Sequence, residues 1–263
     1  MKKNDLINCL HIYSSNDNAE MGKAASMHSD RVREKYDLEL IASYPKRYYK
    51  LTWIDRYDQY AGKAESVHEI IVKMASGHLE ACKGEFLVVG YEGWRRHDEN
   101  DNDHPTMAGS TTDFTMRHIH MPCIIVKYEL QDGPNHYMMA VDGSNCSKMG
   151  LDILYSLMKP QDKLTVIHVY DDSLDALGNE QYDDVRKYYL NDMESECPTT
   201  QFKFEGIMKE GNTSNANMLT KYVNEEVPDF FCMAPRAKVS DAFTSLTEHM
   251  ILKVRTNIIL CKM

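Results

Sequence analysis

The sequence predicts an α/β protein built from two tandem domains, each a parallel doubly wound sheet. Strand-like and helix-like segments alternate through the second half of the chain. Two distant stretches also end alike. EFLVVG at 85–90 runs through Gly109-Ser110-Thr111-Thr112 to PCIIVK at 122–127, and DFFCMA at 229–234 runs to NIILCK at 257–262. Repetition at this scale says that one folding unit has been used twice. A length of 263 residues accommodates two domains of ordinary size. The boundaries fall at 1–131 and 135–263, with an insertion near 94–108, and Gln131-Asp132-Gly133-Pro134-Asn135 is a linker rich in turn formers.

The elements of the second half follow from periodicity. Tyr137 to Val141 is a short apolar run stopped by Asp142-Gly143-Ser144. Met149, Leu151, Ile153, Leu154, Leu157 and Met158 then recur at helical spacing until Lys159-Pro160. LTVIHVY at 164–170 is apolar on both faces, as a central parallel strand is. A helix over Glu180–Met193, a strand over Gln201–Ile207 and a helix over Asn215–Glu226 come next. Strand Phe230–Met233, helix Asp241–Val254 and strand Ile258–Cys261 complete the half. Alternation of this kind implies right-handed crossovers.

In the first half the same plan predicts a helix over Glu65–Cys82, strand Phe86–Val89, helix Thr111–His120 and strand Cys123–Lys127. Its start has two alignments. In one, Leu6–Tyr13 and Leu38–Ser43 are the first two strands, which sets Met21-Gly22 where Met149-Gly150 stands. In the other, Leu10–Tyr13 matches Ile167–Tyr170 and the first strand and helix are lost. The last strands, Cys123–Lys127 and Ile258–Cys261, are expected to pair with each other, removing two apolar edges and making an internal pseudo-dimer.

Composition narrows the function classes. Hydrophobic residues at 43% and charged residues at 27% are a globular balance, and a net charge of −10 disfavours nucleic acid as a partner. No stretch approaches the ~18 apolar residues of a membrane span. The opening MKKNDLINCLHIYSSND is interrupted by Asp5, Asn8 and His11 and reads as a strand, not a signal peptide. Seven cysteines without a CxxC pair, several inside apolar runs, suggest packing in a reducing compartment, hence the cytoplasm.

These residues resemble the universal stress protein family in its tandem two-domain form, of the adenine nucleotide alpha hydrolase-like fold. The likeness rests on a first strand ending in aspartate (YMMAVDGSNCS), a second strand like LTVIHVY, G-x-x-G and G-S/T after the fourth strand, and a last strand like MPCIIVKYE. It covers 137–263 and roughly 82–129, and residues 14–80 only weakly. The resemblance implies an adenine nucleotide, ATP or AMP, as ligand. Glycines after a strand let backbone approach a phosphate, helix-start amides donate to it, and a group at the end of the first strand reads the base or ribose.

Each half holds only part of such a site. The first keeps Gly90, Gly93, Gly109, Ser110 and Thr111, but fifteen residues separate Gly93 from Gly109, a longer spacer than the family's, and Ser14 stands where an aspartate should end the first strand, with Asp17 beyond it. The second keeps Asp142, Gly143 and Ser245, but its glycines have become Ala234, Ala237 and Thr244 with a spacer of six. Two readings result. One is a non-catalytic scaffold or accessory subunit with protein partners and vestigial sites. The other is a nucleotide-binding regulator of stress responses. An enzyme is disfavoured, since no G-x-S-x-G, G-x-x-x-x-G-K-S/T or H-E-x-x-H motif occurs.

Other clusters have ordinary explanations. In His97–His104, Asp98, Asn100 and Asn102 match the start of a calcium loop. Asp103 replaces its glycine and Gly109 its bidentate glutamate, so a solvated insertion is the better reading. His118 and His120 project from different sides of a helix, and His11 and His168 are satisfied core histidines. Tyr44, Tyr48, Tyr49, Trp53, Tyr57 and Tyr60 with neighbouring Lys and Arg form either a protein-contact patch or, more simply, a helix packing tyrosines on the sheet.

Overall fold

Alternating apolar runs and capped helices dominate the second half, and they fold as the spacing predicts. The structure is a computed structural model that describes residues 5–10, 49–54, 72, 86–91, 110–119, 121–128, 133–171, 175–197, 201–209, 211–235 and 245–262. By packing, the chain divides into Met1–Val89 with Ser110–Met121, and Gly90–Gly109 with Pro122–Met263.

In the first unit, β1 (Asp5–Leu10) pairs in parallel with β2 (Tyr49–Ile54) on one side and β3 (Phe86–Gly90) on the other. Helix α1 (Ser110–His118) carries an Arg117–Asp113 pair one turn apart, at 2.9 Å. One of the two alignments placed the second strand at Leu38–Ser43, which lies outside the described residues, and the simpler reading of the tyrosine cluster made Tyr49–Ile54 part of a helix. The structure corrects this: Tyr49–Ile54 is the strand beside β1. Tyr, Thr, Trp and Ile all favour strands. The run KLTWI at 50–54 also repeats KLTVI at 163–167, a match the tyrosine count obscured. Of the helix expected over Glu65–Cys82 only Val72 is described, and it is helical.

The second unit has strand order β4-β9-β8-β5-β6-β7. Its strands are β4 (Cys123–Val126), β5 (His136–Val141), β6 (Lys163–Tyr170), β7 (Gln201–Met208), β8 (Phe230–Met233) and β9 (Asn257–Leu260). Helices α2 (Asn145–Leu157), α3 (Asp175–Glu196), α4 (Asn215–Glu226) and α5 (Ser245–Lys253) make the crossovers. Ser144 caps α2 by accepting from Ser147 N, and Ser214 caps α4 by accepting from Asn217 N. Every neighbouring strand pair is parallel except β4 with β9.

Met138, Met139, Leu151, Leu154, Leu164, Val166, Ile167 and Phe231 are fully buried, each worth about 1.5–3 kcal/mol in burial. The linker is tied to this core: Asn135 N donates to the buried Asp162 carboxylate at 2.9 Å, and Lys159 N to its other oxygen at 2.7 Å. Cys123, Cys232 and Cys261 are buried free thiols. His168 sits on β6 with its Nδ1 2.9 Å from Val141 O, satisfied as expected.

The two halves share more than their endings. In each, the first strand lies between the second and fourth strands of its repeat, and the registers agree: Ile7 faces Leu51 and Phe86, as Tyr137 faces Leu164 and Phe230. The antiparallel β4–β9 pair puts Cys123 opposite Leu260, Ile124 opposite Ile259 and Ile125 opposite Ile258, the pairing of last strands that the apolar edges predict. Matched on Lys127 and Lys262, Ile124 faces its own counterpart.

Candidate functional site

Parallel pairing of β5 with β8 brings the turns that follow them out at the same, carboxyl edge of the sheet. After β5 come Asp142, Gly143 and Ser144. Asp142 is exposed, and its Oδ1 accepts from Ser144 N at 3.0 Å, closing a local turn. Gly143 has φ 76°, a conformation that side chains disfavour, and a Cβ there would lie 3.2 Å from Val185 Cγ2. Helix α3 is therefore packed against this loop.

The turn after β8 opens with Ala234. A Cβ on Gly150 of α2 would stand 2.7 Å from the Ala234 methyl and 2.9 Å from Met139 Cε. The methyl thus occupies the narrow space between β8 and α2. The start of α2 is internally satisfied too. Ser147 N and Lys148 N bond to the side chain and carbonyl of Ser144, and Ser147 Oγ is 2.8 Å from the buried Tyr189 hydroxyl. Burial pushes the Tyr189 phenol up to about 12. The Lys148 ammonium lies over the Tyr188 ring, 4.0 Å from its centroid. Ser245 is exposed at the first position of α5. Ala237 and Thr244 lie outside the described residues.

This arrangement of parallel strands matches solved structures across nearly its whole length. A universal stress protein from Archaeoglobus fulgidus DSM 4304 superposes with a TM-score of 0.61, covering 98% of this chain and 88% of its own, at 14% identity. The chain has the universal stress protein fold. A functionally unknown protein from Pseudomonas aeruginosa PAO1 is similar to it as well, with a TM-score of 0.57, 11% identity and coverage of 98% and 92%. No protein-family model matches the sequence, and no curated protein is similar to it.

Set on the universal stress protein fold, the first-half residues divide. Gly90 is the last residue of β3, and Ser110 and Thr111 open α1. Gly93, Gly109 and the His97–His104 run lie outside the described residues, as do His11, His120 and the aromatic cluster apart from the strand Tyr49–Ile54. Tyr91, after Gly90, is buried, with its N–H donating to Val126 O at 2.9 Å. His118 is exposed on α1, its ring tilted at 37° to that of Phe114 with centroids 4.5 Å apart.

The sequence reading missed the contacts of α3: Val185 packs against the loop at Gly143, while Tyr182 lies against β6 and β7, 4.3 Å from the Tyr170 ring. A Cβ on Gly206 of β7 would lie 2.5 Å from Tyr182 Cε2, so a glycine inside a strand was the available signal that a ring rests on it. Among the described residues no group of three or more His, Cys, Asp or Glu is placed to hold a metal. No helix among them is long and apolar enough to cross a membrane.

Proposed function

We propose that the protein is a non-catalytic accessory or scaffold protein of the cytoplasm, with the universal stress protein fold, acting through protein contacts and not through a bound nucleotide. The observation that carries this reading is the methyl of Ala234 seated against Gly150. Ala234 stands where the family's loop has a glycine, so its methyl adds bulk to the turn after β8. Ser144, ahead of α2, supports the reading, because its side chain and carbonyl accept from Ser147 N and Lys148 N.

The first half bears on the same argument through its sequence: Ser14, which lies outside the described residues, stands where an aspartate would end the first strand. A serine hydroxyl is a neutral, weaker acceptor for a ribose hydroxyl or an exocyclic amine than a carboxylate. The copy that keeps its glycines thus has no carboxylate at this position, and the copy that keeps the carboxylate has lost its glycines. An internal pseudo-dimer built on the β4–β9 pair is part of the same reading.

Equilibrium dialysis with labelled ATP and AMP tests it. No saturable uptake is expected up to roughly millimolar ligand, a weak limit of about −4 kcal/mol, and native purification should recover the chain with other proteins. Saturable binding that Gly109→Asp abolishes would instead establish an adenine-nucleotide-binding regulator.

A further inference from the structure

The strand β7 ends the strand order beyond β6, and no described strand lies on its outer side. It is long for an edge, eight residues, QFKFEGIM, and contains no proline. Lys209 N donates to Tyr170 O at 2.8 Å, so the odd-numbered residues of β7 turn their backbone groups toward β6. Phe202, Phe204, Gly206 and Met208 therefore turn theirs outward. Both faces of the strand are only partly exposed. On one, Tyr182 and Tyr189 pack on Phe204 and Gly206. Among the described residues, what remains open is the edge itself.

A lysine on an edge strand ordinarily discourages pairing. Here Lys203 is balanced by Glu205 two residues on, on the same face, at 3.1 Å and with side chains 35% and 39% exposed. A strand with no net charge and a Lys-x-Glu pattern is complementary to its own reverse. We propose that β7 is a self-association edge: two copies of the chain pair β7 with β7, antiparallel and two-fold about Phe204, setting Lys203 of each opposite Glu205 of the other.

Charge selects this register. Centring the pair on residue 203 would put lysine opposite lysine, and centring it on 205 would put glutamate opposite glutamate, both repulsive. Centred on Phe204, the outward backbone groups of Phe202, Phe204 and Gly206 are all satisfied. Phe202 then stands opposite the second copy's Gly206, where Tyr182 supplies the ring that the glycine lacks. The inference goes beyond the proposed function and does not depend on whether nucleotide binds.

Sedimentation velocity on the full chain over a range of micromolar concentrations tests it, with Lys203→Glu, Glu205→Lys and the double swap. The wild-type chain should show a reversible monomer–dimer equilibrium. Each single reversal should weaken it by about tenfold or more, because both cross-strand pairs become like-charged. The double swap should restore it. Unfolding midpoints measured in parallel separate loss of the intrachain pair from loss of the interface: association should move far more than stability. A wild-type chain that stays monomeric, single reversals without effect, or a double swap that fails to re-associate would each overturn the proposal.

Discussion

Val227 ends α4 in the left-handed region, at φ 43°, with its N–H donating to Val223 O at 2.9 Å. A β-branched residue pays roughly 1–2 kcal/mol for that conformation, and its side chain is 64% exposed, so little burial offsets the cost. Val227→Gly should raise stability by about 1 kcal/mol in urea unfolding; an unchanged or lowered midpoint would sink this account. His136 makes a second residue-scale prediction. Its backbone N–H donates to Asp229 at 2.6 Å, and its Nε2 lies 2.9 Å from Thr165 Oγ1. Burial, helped by Lys163, lowers its pKa to about 4. The unfolded chain protonates it near 6.5. Between those values the unfolded state holds more protons, so this contribution to stability is complete above about 6.5 and is lost as pH falls toward about 4. His136→Gln should flatten that part of the stability–pH curve, and an identical slope in the variant would count against the assignment.

Among the elements, the β4–β9 pair depends on one side chain. Asn257, buried at the start of β9, accepts from Lys127 N at 2.8 Å and from Tyr128 N at 2.9 Å through Oδ1. The Lys127 ammonium meanwhile donates to the carbonyls of Ile251 and Val254, which close the end of α5, and lies 4.4 Å from the Tyr91 ring centroid. Asn257→Ala would leave two backbone donors without their acceptor and should cost about 1–3 kcal/mol. Chemical denaturation measures this, and a loss under about 0.5 kcal/mol would mean that water replaces the amide. Pairing of these strands could be read from their apolar sequences. Asn257 could not, since its role depends on a contact with residues far away in the chain.

For the whole molecule, linkage gives a check independent of dialysis. A ligand that binds the native state alone raises its stability, by about 2.7 kcal/mol at a hundredfold excess over Kd. Millimolar ATP should therefore leave the thermal midpoint of this chain where it is. A concentration-dependent rise would revive the nucleotide reading. The second half was legible because its caps and apolar periods agree, as Ser214, Asn215–Glu226 and Phe230–Met233 illustrate. At the start of the chain, the aromatic cluster around β2 mimicked a helix face while the repeated KLT run carried the true signal. The site was legible as a set of chain positions. How Val185 and Ala234 pack there was not, because Val185 meets Gly143, and Ala234 meets Gly150, only through tertiary packing.

The thiols of Cys123 and Cys261, buried beside the β4–β9 pair, are pushed up to about 12 by their surroundings, and that of Cys232 in β8 is raised as well. At neutral pH they are neither ionised nor reachable, so alkylating reagents meet them only when those strands separate. Their labelling rate is then a built-in clock for opening of the sheet along this line, at whatever free energy that opening requires.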